Sequence, residues 1–131
     1  MVCLDTSFIV DILRGNKEVT SILSKFDNLN ISKSIPSPVL SEIFQGMHLS
    51  KDLKQEQDKI MQLMNSLEIL SLTQESSILA GKISSNLLNS GQDIGLVDCM
   101  IAAIAITNNE TLITRNLKHF GKIENLKIES Y

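Results

Sequence analysis

The 131-residue chain has no tryptophan, one tyrosine and four phenylalanines. Its core must therefore be built from Leu, Ile, Val and Met. Only two cysteines occur, Cys3 and Cys99, and there is no C-x-x-C pair. That excludes a zinc ribbon or finger. Both lie in apolar stretches and read as small buried side chains, which suits a reducing cytoplasm. No apolar run is long enough to span a bilayer. The longest is Cys99 to Ile106, and no basic leader precedes the first apolar residues. Excess positive charge is also missing. Net charge is -3, which argues against a broad basic surface for duplex DNA. An acidic nuclease pocket is compatible with that balance.

The length fits one domain, residues 1–131, with one core. Val2 to Leu4 reads as a strand that runs into Asp5. Ser7 to Arg14 reads as a helix with Phe8, Ile9, Ile12 and Leu13 on one face. Thr6 or Ser7 is its expected cap, and Gly15 its stop. A second helix runs from Lys17 to Phe26. Asn30 to Ile35 is a short strand. In "SPVLSEIFQGM", Ser37 is the expected cap and Pro38 the first helical residue.

"KDLKQEQDKIMQLMNSL" is a polar helix with a narrow apolar stripe. Glu68 to Leu72 is a third strand, and Ser76 to Leu88 a further helix. "LVDCMIAAIAI" is a helix buried on most sides. "ETLITRN" carries a fourth strand, "LKHF" one helical turn, and "NLKIESY" a possible edge strand. Strands separated by helices imply right-handed crossovers. The expected fold is α/β: a three-layer α/β/α sandwich around a mainly parallel sheet of four or five strands.

Ligands of open parallel sheets bind beyond the carboxyl ends of the strands. Asp5 ends the first strand, and Asn116 follows the fourth. Glu42 lies early in the helix after the second. Asp98 lies in the first turn of the helix before the fourth. These three acids and one amide can meet at one rim. Each acid also has a plain reading. Asp5 can cap a helix, and Glu42 and Asp98 can complement helix dipoles.

Asp98 resists that reading most, because "GLVDCMIAA" surrounds it with apolar residues. An unpaired carboxylate there costs several kcal/mol. Something cationic should compensate it, and no Lys or Arg is near in sequence. A divalent cation meets that need. Mg²⁺ and Mn²⁺ prefer carboxylate oxygen and keep several waters. A metal held by two or three acids can activate water for attack on phosphate.

Four blocks, "LDTSFIVDILRG", "SPVLSEIFQGM", "GQDIGLVDCMIAAIAI" and "TLITRNLKHFGKI", resemble the PIN-domain family in order and spacing. More narrowly, they resemble its VapC-type toxin ribonucleases. The resemblance spans nearly the whole chain. It implies an acidic pocket for Mg²⁺ or Mn²⁺, with Asp5 and Asp98 as main ligands and Glu42 binding directly or through water. It implies that Ser7 and Thr114 are hydroxyls that orient the acids. The family often has a fourth acid where Asn116 stands, so a second metal is in question here. The resemblance also implies an RNA substrate of the tRNA or rRNA class, a small antitoxin partner and a homodimer.

Asp93 is a further loop carboxylate. Arg14 and Arg115 flank the rim and are either contacts for RNA or a partner, or ordinary surface charge. Lys118 and Lys122 can add to a basic edge. His48 and His119 lack metal-box spacing and read as structural or surface residues. The helices around Ile12, Leu13, Phe44 and Met47 carry more apolar residues than one face needs, for the core or for a partner.

Two other readings start from the same residues: a PIN nuclease of RNA processing without a toxin role, and a degenerate PIN binding module, which Asn116 makes worth weighing. A phosphatase of the type with Asp after the first strand needs a second Asp two residues on, where Ser7 stands. A receiver domain needs an acidic pair before its first helix and a Lys after a late strand, and neither occurs.

Overall fold

The structure, a computed structural model, describes residues 1–131. The strands are β1 (Val2–Leu4), β2 (Lys33–Pro36), β3 (Glu68–Leu70), β4 (Thr111–Ile113) and β5 (Ile128–Glu129). The helices are α1 (Thr6–Leu13), α2 (Lys17–Asn28), α3 (Ser37–His48), α4 (Leu53–Met64), α5 (Gln74–Asn89), α6 (Leu96–Thr107) and α7 (Leu117–Phe120). All strand pairs are parallel, in the order β3-β2-β1-β4-β5. The expected edge strand is therefore real and joins as β5. No helix is long and apolar enough to cross a membrane.

Consecutive residues of a strand point to opposite faces. Val2, Cys3 and Leu4 are nonetheless all buried, so helices cover both faces of the centre of the sheet. This is the α/β/α sandwich that the sequence pattern implies. The layers share one core. Leu4, Phe8, Ile9, Ile35, Ile101, Leu112 and Phe120 are among its fully buried members. Helix α6 lies against α5 and is sealed over Cys99 and Ile101 to Ala105. Ala102, Ala103 and Ala105 let it sit close. Met47 is a core residue, and Phe44 packs half-buried against the same core.

Two expected caps move. Helix α1 begins at Thr6, and the residue before it, Asp5, occupies the capping position without using its side chain there. Its carbonyl oxygen accepts from Phe8 and Ile9 N–H instead. Pro36, not Ser37, precedes the first residue of α3. The Ser37 hydroxyl turns outward from that role and accepts from Leu72 N–H at 3.2 Å, which ties α3 to the segment after β3. Helix α5 starts two residues earlier than Ser76. There Thr73 and Ser76 cap each other reciprocally, a substitute for the usual Glu at the third position.

The chain runs outward from β1 through β2 to β3, then returns to the other side of β1 as β4. The order therefore reverses between β1 and β4. Crevices form at such reversals, beyond the carboxyl ends of the strands. Asp5 leaves β1 at that point, and Thr114 leaves β4 beside it. Asp5 N–H donates to Ile113 O at 3.1 Å across the two strands.

Candidate active site

Asp5 is only 4% exposed. Its Oδ2 accepts from Thr114 Oγ1 at 2.7 Å and from Ser7 Oγ at 3.2 Å. Both hydroxyls anticipated from the sequence therefore hold this carboxylate, and both use the same oxygen. Glu42, half-buried on the second turn of α3, is held differently. Its Oε1 accepts from Thr6 Oγ1 at 2.7 Å. The expected capping pair of α1 thus serves two acids, Ser7 for Asp5 and Thr6 for Glu42. Burial is the main force raising the Asp5 carboxyl above its usual range, and the negative charge of Asp98 adds to it. Burial likewise raises Glu42, with Asp98 and Asp5 both contributing. The three acids therefore feel one another across the crevice. No Lys, Arg or His forms an ion pair with Asp5 or Glu42.

Asp98 has a hydrogen-bonding neighbour within its apolar sequence context, from an unexpected source. Its Oδ2 lies 2.6 Å from His119 Nδ1 on α7. His119, read from the sequence as structural or surface, therefore lies against a candidate acid. The signal that sequence reading missed is its position three residues after Asn116, on the single turn that follows β4. Asn116 itself is close by but occupied. Its Oδ1 accepts from His119 N–H at 3.3 Å and caps α7, while its own N–H donates to Thr114 Oγ1 at 3.0 Å. Asp93 shapes the approach to Asp98. It accepts from Gly95 N–H at 2.9 Å, and Gly95, at a φ of 92°, makes the left-handed turn that opens α6.

The two arginines divide. Arg115 Nη1 is 2.9 Å from Asp11 Oδ2, and the Tyr131 hydroxyl donates to the same oxygen at 3.0 Å. Tyr131 also stands edge-on to Phe8, with ring centres 5.2 Å apart. Asp11 is buried within "FIVDIL", an apolar setting that was a usable signal. Arg14 lies at the end of α1. With Ile12, Leu13, Lys59 and Leu63 it lines an open cavity of about 590 Å³. Lys118 and Lys122 make no ion pair, and His48 ends α3 away from the acids' hydrogen bonds.

The donor atoms of the crevice are hard oxygens on acids without a matching Lys or Arg, which fits a cation such as Mg²⁺ or Mn²⁺. Three acidic, His or Cys side chains do not close into a ready-made cage. Mg²⁺ needs none, because it is commonly held by one or two carboxylates and keeps waters for the rest.

The PIN domain family model matches residues 2–126. Among curated relatives, Ribonuclease VapC2 of Rickettsia felis is 34% identical over 130 residues, covering 98% of this chain and 96% of that protein. The tRNA(fMet)-specific endonuclease VapC of Salmonella typhimurium is 29% identical, over 98% of this chain and 96% of that one. The crystal structure of VapBC2 from Rickettsia felis, bound to a DNA fragment from its promoter, superposes with a TM-score of 0.92. It covers 100% of this chain and 99% of that chain at 31% identity. With the crevice, the sheet order and these likenesses in agreement, this chain belongs to the PIN domain family, in its VapC branch.

Proposed function

We propose that this chain is a metal-dependent endoribonuclease, the toxin of a type II toxin–antitoxin pair. It hydrolyses RNA phosphodiester bonds. The observation that carries this reading is Asp5: a buried carboxylate at the switch point, with Glu42 and Asp98 bearing on it and no cationic side chain paired to it. Asp5 and Asp98 would hold Mg²⁺ or Mn²⁺, with Glu42 bound directly or through water. The ion would supply positive charge for the phosphate and a polarised water.

The chain's own residues prepare that chemistry. Thr114 and Ser7 fix Asp5, and neither uses Oδ1. Thr6 fixes Glu42, whose carboxyl is raised by burial and by the negative charge of Asp98 and Asp5. Both effects arise from the fold before substrate binds. Asn116, committed to capping α7, adds no charge. One ion suffices for this arrangement.

Substrates of the tRNA or rRNA class fit the reading, supported by the relative described as a tRNA(fMet)-specific endonuclease. A cognate antitoxin is supported by the solved VapBC complexes. Exposed Leu49, Leu53 and Met61 around α3 and α4 offer apolar surface for a protein partner. A homodimer and a cytoplasmic location belong to the same reading. Buried, unpaired Cys3 and Cys99 suit that location.

The test is cleavage of total RNA and of purified tRNA by wild type and Asp98→Ala, with and without Mg²⁺ or Mn²⁺. Cleavage by wild type only when metal is present, and none by the variant, is the expected result. Metal-independent cleavage, or full activity in Asp98→Ala, contradicts it.

A further inference from the structure

Nothing in the reading so far uses the imidazole of His119. It lies 2.6 Å from Asp98 Oδ2 through Nδ1, and its side chain is 37% exposed. The Asp98 side chain is 20% exposed, so solvent reaches both groups. Its backbone is held as well. His119 N–H is anchored on the Asn116 side-chain Oδ1, and Asn116 N–H on Thr114 Oγ1, which in turn holds Asp5. One hydrogen-bonded run from Asp5 therefore sets where α7 presents this ring.

Two ligands at right angles on one octahedral ion, each about 2.1 Å away, lie about 3.0 Å apart. A nitrogen and a carboxylate oxygen 2.6 Å apart need to open only slightly to form such an edge. Burial of the other acids and the lack of Lys or Arg beside them leave no competing cation for that edge.

We propose that His119 is a metal ligand that shares the cation with Asp98, so that the centre has a mixed nitrogen and oxygen donor set. This rests on the metal-centre reading above and adds a consequence to it. Mg²⁺ favours oxygen donors and surrenders water reluctantly, whereas imidazole is a good ligand for later first-row ions. A centre containing His119 therefore prefers Mn²⁺ to Mg²⁺ more strongly than an all-carboxylate centre does.

The test is pulsed electron paramagnetic resonance of the full chain loaded with Mn²⁺ alone. It is paired with calorimetric titrations of Mn²⁺ and Mg²⁺ into wild type, His119→Gln and His119→Glu. The expected spectrum of wild type shows coupling to a directly bound imidazole nitrogen, and both variants lose it. The ratio of Mn²⁺ to Mg²⁺ affinity should fall about tenfold or more in His119→Glu, which keeps a ligand but makes it oxygen. Mn²⁺ bound by wild type without nitrogen coupling overturns this proposal and leaves the metal centre standing, with His119 only an orienting partner of Asp98. No Mn²⁺ binding at all overturns both. The wild-type spectrum decides the matter even if a variant fails to fold.

Discussion

The two ends of the sheet each bury acid, and they treat it in opposite ways. At the carboxyl end, Asp5 and Glu42 are held by hydroxyls, with Asp98 beside them. At the amino end, Glu110 is 2% exposed just before β4. Its Oε2 meets Ser34 Oγ, and its Oε1 has no partner. Ser34 Oγ also reaches Val2 O at 3.1 Å. A serine has one proton and cannot donate to both. A protonated Glu110 resolves the count: it donates to Ser34, which donates to Val2 O. Burial also raises its carboxyl, opposed by Ser34 and the amino terminus and reinforced by Glu68. Burial raises the carboxyl of Glu110 beneath the sheet as it raises those of Asp5 and Glu42 at the rim. What separates structural from functional acid here is company, not burial.

The comparison breaks most visibly in activity. Asp5→Ala should lower RNA cleavage at least about a hundredfold, since several kcal/mol of transition-state charge stabilisation pass through that site. Glu110→Gln should leave cleavage unchanged under the same assay. Equal losses from both would erase the distinction.

Stability separates them next. Glu110→Ala should cost about 1–3 kcal/mol in denaturant unfolding, because Ser34 and Val2 lose their partner and a void remains. Glu110→Gln should cost little, because its amide donates to Ser34 as the protonated acid does.

The pH dependence follows from the raised carboxyls of Asp5, Glu42 and Glu110. A carboxyl raised by folding binds its proton more tightly in the folded state. Its contribution to stability is therefore fully present below the unfolded value, near ~4, and is lost as pH rises through the folded value. Metal-free protein should lose stability over that rise. Added Mn²⁺ should remove the Asp5 and Glu42 part and leave the Glu110 part. Glu110→Gln should do the reverse.

The smallest effect belongs to the third buried acid. Asp11 has its cation, Arg115, and a hydroxyl from Tyr131. Tyr131→Phe keeps the packing on Phe8 and should cost about 1 kcal/mol, measured by chemical denaturation, with metal binding unchanged.

Much of this was legible in the sequence, for identifiable reasons. Apolar triplets such as "VCL" and "TLI", separated by helical periods, report a parallel sheet because both faces must be covered. Asp5 and Asp98 were visible because each interrupts an apolar run. Sequence could not decide how the hydroxyls were shared. Whether Thr6 caps a helix or holds Glu42 depends on an approach between residues 36 apart in the chain. His119 escaped for the same reason, since its partner lies 21 residues away on another helix. Glu110 drew no reading from the sequence, and only the pairing of β1 with β2 and β4 puts it under the sheet.

On this reading the rim acids, and not the buried acid beneath the sheet, form a cation-dependent centre. Thermal unfolding of wild type, Asp5→Asn and Glu110→Gln, each with and without Mn²⁺, tests it most directly. Binding to the folded state alone raises the midpoint. Mn²⁺ should raise it for wild type and Glu110→Gln and leave Asp5→Asn unmoved. A full Mn²⁺ response in Asp5→Asn, or its loss in Glu110→Gln, would contradict it.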